Sequence, residues 1–178
     1  MTAQAQKKPL WQDYNDRAAR DGWPVHCDPE LNFDSARLRD LVHIWQTARG
    51  RRAIPRRSDI STRMLRAHLA DSMLIEREQT KGGVRRYRIR FHGSNVGRMS
   101  GDGLGKFIDE VIPLQFVESW YLAYDMVLEM RAPVRFLSRF RALNLEHLQA
   151  ESVAMPLGDG MGNPSGLITS VVYTPPPA

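Results

Sequence analysis

Residues 84–92, with the sequence VRRYRIRFH, alternate between large apolar side chains and arginines. In an extended chain this alternation puts Tyr87, Ile89 and Phe91 on one face and the arginines between them on the other. The turn-forming sequence KGG precedes the segment, as it does in a β-hairpin. A strand with one apolar face is typical of an antiparallel sheet that is covered on one side.

The spacing of apolar residues switches between helical and extended along the chain. Helical spacing predicts a helix over 34–49, a short helix through Leu65, and a helical stretch over 106–131 that Pro113 breaks. The last extended segment is apolar on both faces, which predicts a central strand. Together with four other extended segments, it predicts an α+β fold with a five-stranded antiparallel sheet and helices on one face. The five predicted strands are 72–77, 84–92, 134–145, 148–157 and 166–174.

The first 33 residues are polar, and Pro24 and Pro29 end any helix that begins before them. We therefore expect an N-terminal helical extension over 1–33, a single domain with its leading helix over 34–174, and a short tail over 175–178. A chain of 178 residues is long enough to bury one such core.

The composition bears on localisation. No apolar run approaches the ~18 residues that a membrane-spanning helix needs. The first ten residues carry two lysines without the apolar stretch of a secretory signal. We expect a cytoplasmic protein without membrane insertion. Because Cys27 is the single cysteine, no disulfide forms within the chain.

The positive charge consists almost wholly of arginine: 21 arginines and 4 lysines give a formal net charge of +5. Arginine suits bidentate binding of phosphate or carboxylate, so an arginine-rich module for nucleic acid or a cyclic dinucleotide is the alternative function. Arg52 and Arg56 have the spacing of PilZ-type receptors, but His92 stands where their second motif needs a carboxylate or an amide. The aromatic residues of the strand 84–92 alternate away from its arginines, which favours an acidic protein partner over nucleic acid and leaves nucleic-acid binding as the alternative.

The order of elements resembles the PAS domain, whose five antiparallel strands are arranged 2-1-5-4-3 with a helical segment between the second and third. More narrowly, the sequence is similar to a bacterial family of short proteins with a single PAS domain. The likeness spans residues 36–174 and rests on short motifs in a fixed order. They are Trp45 with Arg49-Gly50, IPRRSDI at 54–60, YRI at 87–89, HGS at 92–94, GDGLGK at 101–106, MPLG at 155–158 and GLI at 166–168.

The resemblance implies a sensory or regulatory protein of signal transduction, without catalytic activity, that binds a small molecule between sheet and helices or docks on a signalling protein such as a histidine kinase. In support, the glycine-rich motif 101–106 departs from a Walker loop at Ser100 and Phe107. Residues on the inward faces of the predicted elements line the expected ligand pocket. They are Tyr87, Ile89, Phe91, Phe116, Trp120, Tyr124, Phe136 and Phe140.

The leading helix carries Leu38, Leu41 and Trp45 on one face. This helix is expected to pack on the domain or to pair with its mate in a homodimer, and these three residues are the expected interface.

The cofactor is unknown from sequence. Photosensory PAS domains that use flavin need a cysteine on the mid-domain helix, whereas Cys27 lies in the extension. Haem needs an axial ligand, and no histidine lies within 106–131. The histidines lack metal-ligand spacing, so we expect no metal site.

Overall fold

The computed structural model describes residues 8–142 and 145–174, with all side chains in these ranges except those of 140–147. The helices and strands follow one another in this order along the chain: α1 (Leu10–Asp21), β1 (Val25–Asp28), α2 (Ala36–Arg49), β2 (Ser72–Gln79), β3 (Arg85–His92), α3 (Ser94–Ser100), α4 (Leu114–Met130), β4 (Val134–Ala142), β5 (Leu145–Gly158) and β6 (Pro164–Thr174). Short 3₁₀ turns lie at Arg57–Asp59, Leu69–Asp71 and Ile108–Glu110.

The strands form one antiparallel sheet in the order β1-β4-β5-β6-β2-β3. Counted from β2, the last five strands have the 2-1-5-4-3 arrangement that the resemblance implied. Strand β6 is central, which confirms the prediction from its two apolar faces. The sheet has one more strand than predicted, because β1 pairs with β4 and places Cys27 opposite Phe136.

Both faces of the sheet are covered. Helix α4 packs on one face of β5 and β6, where Ala154 and Leu167 belong to its core cluster. Helix α2 packs on the opposite face, where Met155 and Ile168 belong to a second cluster. The sequence predicted helices on one face of the sheet only, and α4 covers one face as expected, whereas α2 covers the other. The added layer follows from β5 and β6, because strands that are apolar on both faces need cover on both.

The N-terminal extension is part of this fold. Gly22 follows the last residue of α1 and caps the helix. Its φ of 69° is the left-handed conformation that glycine adopts without strain. The helix buries Tyr14 and Ala18, which are four residues apart on one face, and it packs against α4. Strand β1 was not predicted because four residues are too few to establish an alternating pattern.

Helix α2 begins and ends where the sequence indicated. The Ser35 side chain caps it by accepting the Leu38 N–H, and Gly50 follows its last residue. Leu38, Leu41 and Trp45 are all buried within this one chain. The indole N–H of Trp45 donates to the carbonyl oxygen of Pro156 at 2.9 Å.

The expected interface on α2 therefore needs correction. The sheet of the same chain already covers Leu38, Leu41 and Trp45, so these side chains are core and are not available to a second copy. Of the two expectations for this helix, the structure has it packing on the domain. The expected homodimer stays a prediction, and it would need a different surface.

Residues 50–71 connect α2 to β2 along the edge of the second core. Instead of the short helix expected through Leu65, the segment forms successive turns and two 3₁₀ turns. Ile54, Ile60 and Leu65 are buried, and Arg56 forms a backbone bridge to Gly158 at the end of β5. Anchoring at separated points favours a chain that follows the domain surface over a regular helix.

Candidate functional site

Aromatic side chains fill the space between α4 and the sheet. The ring of Tyr124 lies with its centre 5.2 Å from that of Tyr87 and 5.6 Å from that of Trp120. Towards β1, the ring of Tyr14 meets that of Phe136 edge to face, with the two centres 6.0 Å apart. These spacings are typical of attractive aromatic pairs. We call this region the aromatic interior, and it is the candidate site.

The structure brings five of the eight predicted pocket residues together here. Tyr87, Ile89, Tyr124 and Phe136 are buried in one cluster, and Trp120 is half-buried against it. Their inward faces follow from strand alternation and from helical spacing, which is why the sequence could identify them.

Two further predicted residues stand apart from this cluster. Phe116 lies in the first turn of α4 and is half-buried outside the cluster. The side chain of Phe140 is outside the described residues, so its expected role stays a prediction.

Phe91 lies on the opposite face of the sheet, contrary to prediction. Leu74 pairs with Phe91 and the next residue, Ile75, pairs with Ile89, so Arg90 is an extra residue in β3. This β-bulge reverses the alternation at Phe91. The Phe91 side chain consequently lines a pocket of the second core together with Ile168. A bulge depends on how two strands pair, and the sequence of β3 alone carries no signal for it.

Two hydroxyls of the aromatic interior, those of Tyr121 and Tyr124, are buried without a hydrogen-bond partner among the described residues, and Tyr124 is the more deeply buried of the two. The Tyr124 side chain is 1% exposed, and its hydroxyl has no hydrogen-bond partner among the described residues. By contrast, the Tyr87 hydroxyl donates to Asp125 Oδ1 at 2.6 Å, and the Tyr14 hydroxyl donates to the Ser119 carbonyl oxygen at 3.4 Å. A buried polar group without a partner costs about 1–3 kcal/mol. The sequence indicated Tyr124 as lining, but only the structure shows the state of its hydroxyl.

Burial also sets the protonation of the interior. It raises the pKa of the Tyr14, Tyr87 and Tyr124 hydroxyls, and in Tyr87 the hydrogen bond to Asp125 adds to the shift. Burial raises the pKa of the Cys27 thiol to about 12. All four groups therefore stay protonated at neutral pH, which suits them to hydrogen bonding.

Sequence reasoning missed the residues that the extension contributes to the interior. Tyr14 and Cys27 are buried in its cluster, and Trp23 packs against it. The Asn15 side chain fastens α1 to β1, since its amide donates to the Cys27 carbonyl at 2.9 Å and its oxygen accepts the Cys27 N–H at 2.8 Å. The four-residue spacing of Leu10, Tyr14 and Ala18 was the available signal.

The arginines of β3 form ion pairs on the outer face of the sheet. Arg88 Nε lies 2.7 Å from Glu78 Oε1, and Arg90 Nη2 lies at the same distance from that oxygen. Arg86 reaches round the edge of the sheet to Asp109 at 2.9 Å. The arginine side chains of β3 from Arg86 to Arg90 are therefore paired with carboxylates.

The glycine-rich motif 101–106 lies along the edge of β3. The Ile89 N–H donates to the Lys106 carbonyl at 2.9 Å, and the Gly103 N–H donates to His92 Nδ1 at 3.3 Å. A Cβ at Gly103 would come within 2.9 Å of Ile89 Cδ1, so a larger residue here would require the end of the Ile89 side chain to shift. The motif carries the chain from α3 to the 3₁₀ turn at Ile108–Glu110 instead of directly from strand to helix, and both of these contacts are made within the protein.

Two concavities lie outside the aromatic interior. A groove of about 580 Å³ follows β4 and β5 on the face that α2 partly covers, and Leu137, Gln149 and Val172 are among its lining residues. A smaller pocket of about 60 Å³ lies beside the segment that joins α2 to β2. Among the predicted pocket residues whose side chains the structure describes, Phe91 alone lines either of them.

Across residues 8–142 and 145–174, no cluster of three or more histidine, cysteine, aspartate or glutamate side chains could hold a metal ion. None of the helices in that part of the chain is long and apolar enough to cross a membrane.

Comparison with known proteins identifies the fold. No curated protein sequence matches the chain. A solved structure titled "Structure of an RNA-binding Light-Oxygen-Voltage Receptor" is similar in fold, with 14% sequence identity and a TM-score of 0.41. The likeness covers 96% of this chain and 45% of that receptor, so the chain spans less than half of the receptor's length. A family model described as a PAS domain matches residues 33–171, which is most of the chain. The chain therefore belongs to the PAS domain family, whose members are sensory and signalling domains.

Proposed function

We propose that this chain is a non-catalytic regulatory PAS protein of signal transduction, which holds a small molecule in its aromatic interior and docks on a signalling protein such as a histidine kinase. The observation that carries the binding half is the Tyr124 hydroxyl, which is buried in that interior without a hydrogen-bond partner in the part of the chain that the structure describes. A bound polar group would supply the missing hydrogen bond and offset the cost of burial.

The surroundings indicate the chemistry of the ligand. The rings of Tyr87, Trp120 and Phe136 offer apolar faces and edges, whereas hydroxyl donors are few. A compact apolar or aromatic molecule with one polar substituent fits this balance. Trp120, which is half-buried, is the ring whose rotation would admit it.

The same groups favour binding over catalysis. A general base or a nucleophile needs a pKa matched to neutral pH, or an adjacent base that activates it. In the interior, burial raises the pKa of Tyr124 and Cys27 far from that range. The Tyr124 hydroxyl and the Cys27 thiol can donate hydrogen bonds to a ligand, but neither group loses its proton readily.

Thermal unfolding tests the binding half. Protein purified without denaturation keeps its ligand, whereas protein unfolded, dialysed and refolded loses it. A ligand that binds only the folded state raises Tm, so we expect wild type to melt at a lower temperature after refolding. In Tyr124→Phe the difference between the two preparations should shrink, because the hydrogen bond to the ligand is gone.

Tyr173→Phe on β6 is the matched control, since it removes a half-buried tyrosine hydroxyl that does not belong to the cluster of the aromatic interior. It should show the same Tm difference as wild type. Equal melting temperatures for wild type before and after complete refolding would contradict ligand binding in the interior.

A further inference from the structure

The positive charge of the chain is concentrated in one segment. Residues 41–70 contain seven arginines and one aspartate, a formal charge of +6, whereas the whole chain carries +5. The remaining 148 residues therefore sum to −1. The seven arginines lie between Arg49 and Arg66, and we call residues 49–66 the basic segment.

The fold holds this segment firmly, while all of its arginines except the half-buried Arg49 are exposed to solvent. Ile54, Ile60 and Leu65 are buried in the second core, and the Arg57 guanidinium donates to the Ile60 carbonyl at 3.0 Å. Arg52 is paired with Asp59 at 2.5 Å. Because the backbone of the segment is anchored at these points, it loses little further backbone entropy when a partner binds.

Five arginines of the segment are exposed and form no ion pair among the described residues. They are Arg51, Arg56, Arg57, Arg63 and Arg66, of which Arg57 donates to the Ile60 carbonyl. On β3, every arginine from Arg86 to Arg90 has a carboxylate within reach, so the basic segment differs from the rest of the arginine-rich surface. Its charge is available to an external acidic group.

A small apolar pocket adjoins these charges. Arg57 and Thr62 from the basic segment line it together with Phe91 and Leu157 from the sheet. The pocket volume of about 60 Å³ suits one short aliphatic side chain and is too small for a nucleobase. Close by in sequence, Met64 is 37% exposed between Arg63 and Arg66. An apolar anchor site with a basic rim is thus built into one surface.

We infer that the basic segment and its pocket form the docking surface for an acidic protein segment that inserts one aliphatic side chain. The inference rests on the docking half of the proposed function and names the chemistry of the partner. Arginine binds carboxylates through paired hydrogen bonds, and a buried aliphatic anchor surrounded by polar contacts is the usual anatomy of a protein interface. Residues 49–66 contain no aromatic ring on which a base could stack, which favours protein over nucleic acid.

Binding of short fluorescent probes tests the inference on the full chain. The first probe is an acidic twelve-residue peptide with a central leucine, and the second replaces that leucine with serine. Single-stranded RNA and duplex DNA of equal charge are the third and fourth. We expect the leucine peptide to bind most tightly, and its affinity should fall as salt is raised.

Three variants locate the site. Arg56→Ala, Arg63→Ala and Arg66→Ala combined should weaken the leucine peptide by about tenfold at low salt, since three rim ion pairs contribute about that much. The matched control combines Arg20→Ala, Arg85→Ala and Arg98→Ala, which remove the same charge from exposed positions elsewhere and should leave affinity within about twofold of wild type. Thr62→Phe plugs the pocket, so it should abolish the preference for leucine over serine.

Each remaining outcome overturns the inference. If neither peptide binds, the segment is not a docking surface for acidic protein. Tighter binding of RNA or DNA would assign the surface to nucleic acid, and equal losses in the two triple variants would show a non-specific charge effect. None of these results bears on ligand retention in the aromatic interior, so the two proposals fail separately.

Discussion

At the scale of single residues, burial determines which groups are chemically available. The Cys27 thiol is 1% exposed, and its Sγ lies 3.4 Å from the Trp11 carbonyl oxygen. Burial raises its pKa to about 12, so the reactive thiolate is scarce as well as inaccessible.

We therefore predict that Cys27 resists alkylation in the folded protein. At pH 8, iodoacetamide should leave the native chain almost unmodified over a period that modifies it completely in denaturant. Intact-mass measurement of the two samples gives the answer. Modification of the native chain at the rate of a free cysteine would contradict the placement of β1 against β4.

A second residue links stability to pH. His92 is partly buried, with its Nδ1 accepting the Gly103 N–H and its Nε2 3.3 Å from the Ser100 hydroxyl. Burial lowers its pKa below the usual value of 6.5, although the nearby Asp102 carboxylate opposes the shift. As the pH falls below 6.5, His92 takes up a proton more readily in the unfolded chain than in the folded chain. The stability that neutral His92 contributes is therefore fully present above pH 6.5 and is lost as the pH falls.

Urea unfolding at pH 7.5 and pH 5.5 measures this contribution. Wild type should lose more stability between the two pH values than His92→Gln does. The exposed His43 supplies the control, and His43→Gln should follow wild type. The same loss in His92→Gln as in wild type would assign the pH dependence to other groups.

At the scale of elements, one buried ion network joins the extension to the sheet. Arg135 on β4 reaches Glu151 on β5 at 2.6 Å and Asp28 on β1 at 3.2 Å. The Glu151 carboxylate also accepts the backbone N–H groups of Asp34 and Ser35 at 2.9 and 2.8 Å, at the beginning of α2. Arg135 thus links β1, the beginning of α2 and the neighbouring strands β4 and β5.

Removing Arg135 should be costly, because it leaves the buried Glu151 without its cation. Breaking such a pair typically costs about 3–5 kcal/mol, so we expect Arg135→Ala to lower the free energy of unfolding by about that amount. Arg139→Ala is the control on the same strand, and at this exposed position it should stay within about 0.5 kcal/mol of wild type. Denaturant unfolding compares them, and similar values for the two variants would show that the network contributes nothing.

The elements also show how far sequence reasoning reached. Regular patterns of eight or more residues, such as those of α2, β3 and β6, fix the type of element, because each face repeats several times. Strand β1 has too few residues to repeat, and the bulge at Arg90 depends on the partner strand. For the same reasons, the inward positions of Tyr87 and Tyr124 were predictable, whereas the face of Phe91 and the unpartnered Tyr124 hydroxyl were not.

At the scale of the whole molecule, the sheet separates two surfaces with different tasks in our proposal. On one side α4 and the extension enclose the aromatic interior, and on the other α2 and the basic segment cover the second core. Strands β5 and β6 contribute to both cores, since Leu167 faces one and Ile168 the other. A ligand that changes packing in the interior therefore acts on strands that also support the proposed docking surface.

Native mass spectrometry of the protein purified from its own cells tests the central claim most directly. We predict a stoichiometric mass excess over the polypeptide, which disappears on denaturation. In Tyr124→Phe the excess should be smaller, because the hydroxyl that holds the ligand is gone. A polypeptide mass without any excess, from protein that was never unfolded, would contradict small-molecule binding in the aromatic interior.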